Sequence, residues 1–474
     1  MQRTFCDQRL SAFSRRHALE TLSAGFGSLA LTGLSAAQEA VNRSPLSPKE
    51  PHEEPKAKRV IFLCMRGGPS HVDTFDHKPR LQTDHGRASN YGSPWCASPW
   101  KFKQGGKSGL WISELFPNVA SCADELCLLR AMHCDQPAHA QAMLQMHTGS
   151  FQFVRPSIGA WTLYGLGTDN ENLPGFISIN PPSATGGAQN YGNAFLPATY
   201  QGTKFTVQDS SQRNRRIDRM RRGEANSFGI KNAFNESLTK HRQRDQLDLI
   251  GSLNREKLLL DQHNPLVEGA IENFELAFRM QDAVPEVMNL SGETEDTISL
   301  YGINEDPTDG FGRQCLLARR FAESGVRFIE LGHGSWDHHS QIRTALADNC
   351  RETDKPIAAL ITDLRRRDML KDTLIVWGGE FGRTPYSDSG TGRDHNHKGY
   401  TMWMAGGGVK GGCSYGSTDE HGYEAVEDKV HIHDWHATVL HLLGLDHERL
   451  TYRHAGRDFR LTDVHGNVVH DIIA

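Results

Sequence analysis

The chain has 474 residues, 37% of them hydrophobic and 23% charged, with 46 glycines and 24 histidines, long enough for one large core or two domains. That balance excludes global disorder, and a net charge of −5, from 57 acidic against 52 basic residues, excludes a general nucleic-acid binder. Beyond the N-terminus no uncharged apolar run reaches about 18 residues, so no membrane span is expected in the mature chain.

In chain order, Arg15-Arg16 precedes a weakly apolar stretch from Leu22 to Leu34 and the small residues Ser35-Ala36-Ala37. This reads as a twin-arginine export leader over 1–37, cleaved near Ala37, which would carry the chain to the periplasm or beyond the cytoplasm. Residues 38–57 are rich in Pro, Glu and Lys without periodicity and are expected to form a disordered tether. One α/β domain is expected over 58–474. The cysteines beyond Cys6 form no Cys-x-x-Cys pair, so neither a zinc ribbon nor a thioredoxin-type site is indicated.

Short apolar runs bounded by glycine or polar residues predict buried strands at Arg59–Met65, Gly175–Ile179, Arg327–Leu331, Thr373–Trp377 and Tyr400–Met404. Helical spacing predicts helices over Phe311–Ser324, with Gly325 as its cap, over Asp354–Arg367, and over His433–Leu443 ending at Gly444. The succession predicts a mainly parallel sheet with helices on both faces. From about 204 to 304 the chain is polar and helix-prone. Leu247, Ile250 and Leu253, then Ile271, Phe274 and Phe278, mark two amphipathic helices of an insertion. The arginines between Arg213 and Arg222 read as a solvated charged segment, with anion recognition as the alternative.

Chemistry gathers at strand ends. Ser70-His71-Val72-Asp73 follows the first strand, Trp336-Asp337-His338-His339 follows the third, Gly378-Gly379-Glu380 the fourth, and Asp394-His395-Asn396-His397 precedes the fifth. His71 with Asp73, Asp337 with His339, and His395 with His397 are two-residue steps, which point one way in an extended segment. Ligands in open α/β sheets collect at the carboxyl ends of strands. Asp73, Asp337, His339, Glu380 and His395 are therefore expected to converge on one or two divalent ions, with His71 and His397 as additional members. A His/carboxylate set without cysteine suits zinc or manganese, with calcium also allowed. Arg66, Arg383 and Arg393 are candidates to hold an anionic group, with loop bracing as the alternative.

Val60-Ile-Phe-Leu-Cys-Met-Arg-Gly-Gly-Pro-Ser-His-Val-Asp-Thr-Phe-Asp76 resembles the opening of the bacterial "domain of unknown function 1501" proteins. Trp336-Asp-His-His339, Gly379-Glu-Phe-Gly-Arg-Thr-Pro385, Gly392-Arg-Asp-His395, Met402-Trp-Met-Ala-Gly-Gly-Gly408 and Gly456-Arg-Asp-Phe-Arg-Leu-Thr-Asp463 extend the resemblance from about residue 58 to the end. The resemblance implies an alkaline-phosphatase-like α/β fold, related to the sulfatases, with metal ligands at strand ends. Thr373–Glu380 is similar to the sulfatase strand that ends in a metal pair. His433–Gly444 is similar to a late sulfatase helix, and His139–Gly149 to the helix that carries their nucleophile.

The nucleophile position holds His139 here, and paired aspartates after the first strand are replaced by Arg66-Gly67-Gly68. Three routes to a nucleophile stay open: His139 itself, a hydroxyl of Ser70 or Thr74, or metal-bound water. His139 is expected at a helix N-terminus whose field keeps its ring neutral. The candidate catalytic residues are His139, Ser70 and Arg383. The function expected is an exported metal-dependent hydrolase of a small anionic ester or sulfated glycan. The alternative is a non-catalytic relative that binds an anionic glycan or a partner protein.

Overall fold

The computed structural model describes residues 44–207, 238–261 and 265–474. The chain divides into two units, Met1–Pro45 and Leu46–Ala474, and every element below belongs to the second. The expected leader, the start of the expected tether and the arginines of 213–222 lie outside the described residues.

Among the described residues, nine strands form one sheet: β1 (Arg59–Met65), β2 (Leu126–His133), β3 (Phe176–Ile179), β4 (Thr203–Phe205), β5 (Phe328–His333), β6 (Thr373–Gly378), β7 (Tyr400–Ala405), β8 (Cys413–Tyr415) and β9 (Val430–His431). Their order is β8-β2-β7-β6-β1-β5-β3-β4, with β9 also paired to β2. β7 runs antiparallel to β2 and β6, whereas the other pairings are parallel. In the middle, β1 sets Val60 against Phe328 on one side and Leu374 on the other.

The unbroken apolar run of β1 follows from this place, because a strand covered on both faces has no side for polar residues. Ile61, Leu63 and Met65 enter the core formed with helices α5 (Asp309–Glu323) and α6 (Ile342–Arg366). Val60, Phe62 and Cys64 enter the opposite core, with α1 (His139–Thr148), α2 (Ile158–Leu166) and α7 (Ile432–Leu442). The fold is thus α/β with helices on both faces of a mostly parallel sheet.

Strands β4, β8 and β9 and helix α2 were not expected, and two further elements differ from expectation. α6 begins at Ile342, twelve residues before Asp354, because buried Ile342, Leu346 and Cys350 continue its apolar stripe and Pro356 is carried inside the helix. β2 was not expected: its apolar run is interrupted by Arg130, which is half-buried and 3.8 Å from the carboxylate of Asp76.

The insertion contains α3 (Lys240–Asp261) and α4 (Pro265–Met288). α4 docks through Leu276, Val284 and Val287. An ion network around the buried Arg319 closes its far end: Arg319 contacts Glu293 at 2.7 Å, Glu323 at 2.6 Å and Asp363 at 3.0 Å, while Arg320 reaches Glu293 at 2.5 Å. Burial pushes the Glu293 carboxyl up, but Arg320 and Arg319 outweigh it and hold it below the ordinary carboxylate range.

Residues 46–57 are not a free tether. Lys49 N–H donates to the Leu166 carbonyl, those of His52 and Glu53 to Gly444, and those of Lys56 and Ala57 to Leu442. Leu46 and Ala57 are buried. Composition marks this segment as polar, yet its backbone donors find carbonyls at the ends of α2 and α7, and that fixes it as a strap. Among the described residues no helix is long and apolar enough to cross a membrane.

Candidate functional site

The loops that follow β1, β2, β5 and β6 meet the loop that precedes β7. Gly67 turns the chain out of β1 with φ +115°, and a Cβ there would stand 2.6 Å from the Asp337 nitrogen. Glycine is required at this approach. The Gly67 N–H donates to both oxygens of Glu380, at 3.0 and 3.1 Å. Buried Glu380 in turn receives His139 Nδ1 at 2.6 Å.

His139 opens α1, whose cap residue Ala138 offers no side-chain acceptor. Its Nε2 lies 3.2 Å from Asp337 Oδ2. Burial lowers the imidazolium, but hydrogen bonds to Asp337 and Glu380 overcome this and raise it to about 9. The expectation of a neutral ring is therefore corrected: two carboxylates at contact outweigh the field of one helix end.

Asp337 is the centre of the group. Its side chain is 44% exposed, and it contacts His139, His339 and His395 as well as the buried Arg383 guanidinium. Burial would push its carboxyl up, yet His139 and the Arg383 guanidinium hold it far below the ordinary carboxylate range. His139, Asp337 and His395 each offer a ligand atom within 4.8 Å of the others, as do His339, Asp394 and His395.

The imidazole bonding fits a cation. His395 Nδ1 donates to the Pro137 carbonyl at 2.6 Å, and His339 Nδ1 donates to Asp388 at 2.7 Å. These partners assign the hydrogens to Nδ1 and leave lone pairs on both Nε2 atoms. The two Nε2 atoms stand 3.0 Å apart, with Asp337 Oδ1 3.0 Å from one and 3.4 Å from the other. Three electron-rich atoms directed at one place repel unless a proton or a metal ion lies among them. Nitrogen and oxygen donors without sulfur suit a divalent metal ion.

Asp337, His339, Glu380, His395 and His139 are brought together. Asp73, His71 and His397 are not. His71 and Asp73 lie on a single helical turn, His71–Thr74, where a two-residue step swings side chains about 200° around the axis and not to one side. Asp73 accepts both ends of the buried Arg393 guanidinium at 2.7 and 3.1 Å, and Ser70 Oγ at 2.6 Å. His71 Nε2 donates to the Gly422 carbonyl at 2.7 Å, and burial lowers the ring's basicity. His397 lies past a two-residue strand segment, His395–Asn396. The chain turns there around Asn396, which bonds Gly399 and Tyr423.

Ser70 is buried and its hydroxyl is directed at Asp73, while Thr74 Oγ1 donates to the Ser70 carbonyl. Neither faces the histidines. Arg383 braces: besides Asp337 it binds the carbonyls of Gly67, Gly68 and Arg393. Arg393 is likewise spent on Asp73, Thr384 and Cys96. Sequence reasoning missed Asp388, which orients His339, and Asp394; the Gly392-Arg-Asp-His395 run held the only signal, and that for Asp394.

The fold and site define an open α/β sheet protein with a histidine–carboxylate cluster at the ends of its strands. The chain belongs to the family described as "Protein of unknown function (DUF1501)", matched over residues 57–473. No curated protein is similar to it in sequence. Similar solved structures include the PsFucS1 sulfatase from Pseudoalteromonas sp., at 12% identity and TM-score 0.34, covering 89% of this chain and 72% of that one. The lipoteichoic acid synthase LtaP from Listeria monocytogenes is 9% identical with TM-score 0.38, over 88% and 78%. The phosphonate monoester hydrolase SpPMH from Silicibacter pomeroyi is 12% identical with TM-score 0.31, over 82% and 73%.

Proposed function

We propose that the protein is an exported, metal-dependent hydrolase of sulfate or phosphate esters with an alkaline-phosphatase-like fold. The observation that carries this reading is the pair of Nε2 lone pairs of His339 and His395, 3.0 Å apart and directed at one oxygen of Asp337. His339, His395 and Asp337 would hold one divalent ion, zinc or manganese by donor type, with Asp394 available to complete it. When bound, the ion supplies Lewis-acid stabilisation of charge developing on ester oxygens.

The chain's own groups do the rest. Gly67 N–H fixes Glu380, which fixes His139 through Nδ1. His139 Nε2 then carries a proton beside Asp337, placed for the leaving oxygen. Arg383 holds the Asp337 carboxylate and the Gly67-Gly68 turn in one piece. The exposed side of Asp337 admits a small anionic ester, including one on a sulfated glycan. With Ser70 and Thr74 turned away, the nucleophile is water.

The test is metal content and turnover of the full chain on a panel of aryl sulfates and phosphates, beside His339→Ala and His395→Ala. We expect a bound divalent ion and turnover in the wild type, and at least about a hundredfold loss in each folded variant. With Ser70 and Thr74 turned away and both His139 ring nitrogens held by carboxylates, one second reading is favoured, a non-catalytic binder of an anionic glycan or partner protein. An ion bound without turnover across the panel selects it. Export is tested by replacing Arg15 and Arg16 with lysine, which should leave precursor in the cytoplasm; unchanged processing counts against it.

A further inference from the structure

Cys127 on β2 and Cys413 on β8 are register partners in adjacent parallel strands. Their sulfurs are 3.1 Å apart, closer than the roughly 3.5–4.0 Å at which unbonded carbon atoms settle. Cys127 is buried and Cys413 half-buried, so one sulfur of the pair is open to reagents and the other is delivered to it by the sheet. Cys413 Sγ also meets the Lys410 carbonyl at 3.1 Å, while three other cysteines face oxygen: Cys96 the Ala97 carbonyl, Cys134 the Gln136 and Glu380 carbonyls, and Cys122 the Ala358 carbonyl and Thr362.

We propose that Cys127 and Cys413 form a disulfide that ties the edge strand β8 to β2 when the chain meets a disulfide oxidant such as glutathione disulfide. The paired register already brings the two Cα atoms to the separation that a bridge between neighbouring strands needs. Contact with Cys127 and the nearby Lys410 outweigh burial and lower the Cys413 thiol, while Cys127 is raised by the same contact and by burial. Cys413 is therefore the attacking thiolate and Cys127 the resolving one.

The exchange balances in two steps. The Cys413 thiolate attacks one sulfur of glutathione disulfide, breaking that S–S bond, forming a mixed disulfide on Cys413 and expelling a glutathione thiolate. Cys127 gives its proton to solvent, its sulfur attacks Cys413 Sγ, and the second glutathione thiolate leaves. Two protein thiols lose two electrons, and one glutathione disulfide becomes two glutathiones. The compartment to which the expected leader would carry the chain is one where such a bond persists.

The cross-link joins residues 286 apart in sequence, a long loop whose closure restricts the unfolded chain strongly. It also braces β2, the strand that runs directly into Pro137 and His139.

The experiment equilibrates the reduced, full-length protein with glutathione disulfide, blocks free thiols after denaturation, and maps non-reduced peptides. We expect a loss of two titratable thiols, one linked peptide pair joining Cys127 to Cys413, and a melting midpoint that falls by several degrees on reduction. Cys413→Ser, a change at a half-exposed position, should lose no thiol and melt alike in both conditions. An undiminished thiol count, a linked pair that omits either residue, or glutathione retained on Cys413 without resolution overturns the proposal. The mapping needs no variant, so a misfolded mutant does not blunt it.

Discussion

Asp73 lies fully buried against Arg393, while Asp337 keeps nearly half of its side chain open at the mouth of the site. The same carboxyl group braces in one place and binds in the other, and the two uses predict different losses. Asp73→Asn leaves a buried guanidinium half-paired and should cost about 3–5 kcal/mol of stability, read from urea denaturation. His395→Ala, by contrast, should leave the melting curve of the metal-free protein nearly unmoved. Gly67→Ala should keep the fold but push the Asp337 backbone aside, lowering affinity for a divalent ion about 10–100-fold in a metal titration. At this scale the two-residue step was a poor guide. It held for Asp337 with His339, across a tight turn, and failed for His71 with Asp73 and for His395 with His397, because periodicity over four residues does not distinguish a helical turn or a bend from a strand end.

Among the elements, the Glu293 network shows how the helical insertion is held to the sheet. The Glu293 carboxyl is held below its ordinary range in the folded protein, so its stabilising contribution is present above the ordinary carboxylate range and fades as pH falls through that range. Glu293→Gln should therefore lower the urea midpoint at pH 7, and the gap from wild type should narrow as pH is taken below about 4.5. Five of the sheet's strands and three of its helices were legible as apolar runs and stripes. β2 was not, since Arg130 interrupts its run and only the fold supplies Asp76 as a partner. The start of α6 was hidden in a similar way: Pro356 reads as a first-turn residue, whereas the packing of Leu346 and Cys350 carries the helix through it.

For the molecule as a whole, the strap of residues 46–57 joins the ends of α2 and α7 without belonging to any layer. A chain beginning at Lys58 should lose the five backbone hydrogen bonds made by Lys49, His52, Glu53, Lys56 and Ala57. We expect it to fold with about 2–4 kcal/mol less stability, measured by chemical denaturation beside a chain beginning at Pro45. No loss would return the segment to the role of a tether. Its polar composition hid it, since a strap held by main-chain donors leaves almost no mark in side-chain pattern. The global α/β plan was legible for the opposite reason: a central buried strand permits only apolar residues.

The place of β1 also sets a timetable. It is the first strand to leave the ribosome, yet its two neighbours begin at Phe328 and Thr373, and the strap beside it waits for carbonyls at Leu442 and Gly444. At a synthesis rate of about 5–20 residues per second, roughly ten to fifty seconds pass before β5 emerges. Throughout that interval the Val60–Met65 run is a greasy, unpaired ribbon on a nascent chain. Native pairing at the centre of the sheet is consequently a late event, complete only once β6 has followed β5 out, and the strap closes later still, when the end of α7 is made.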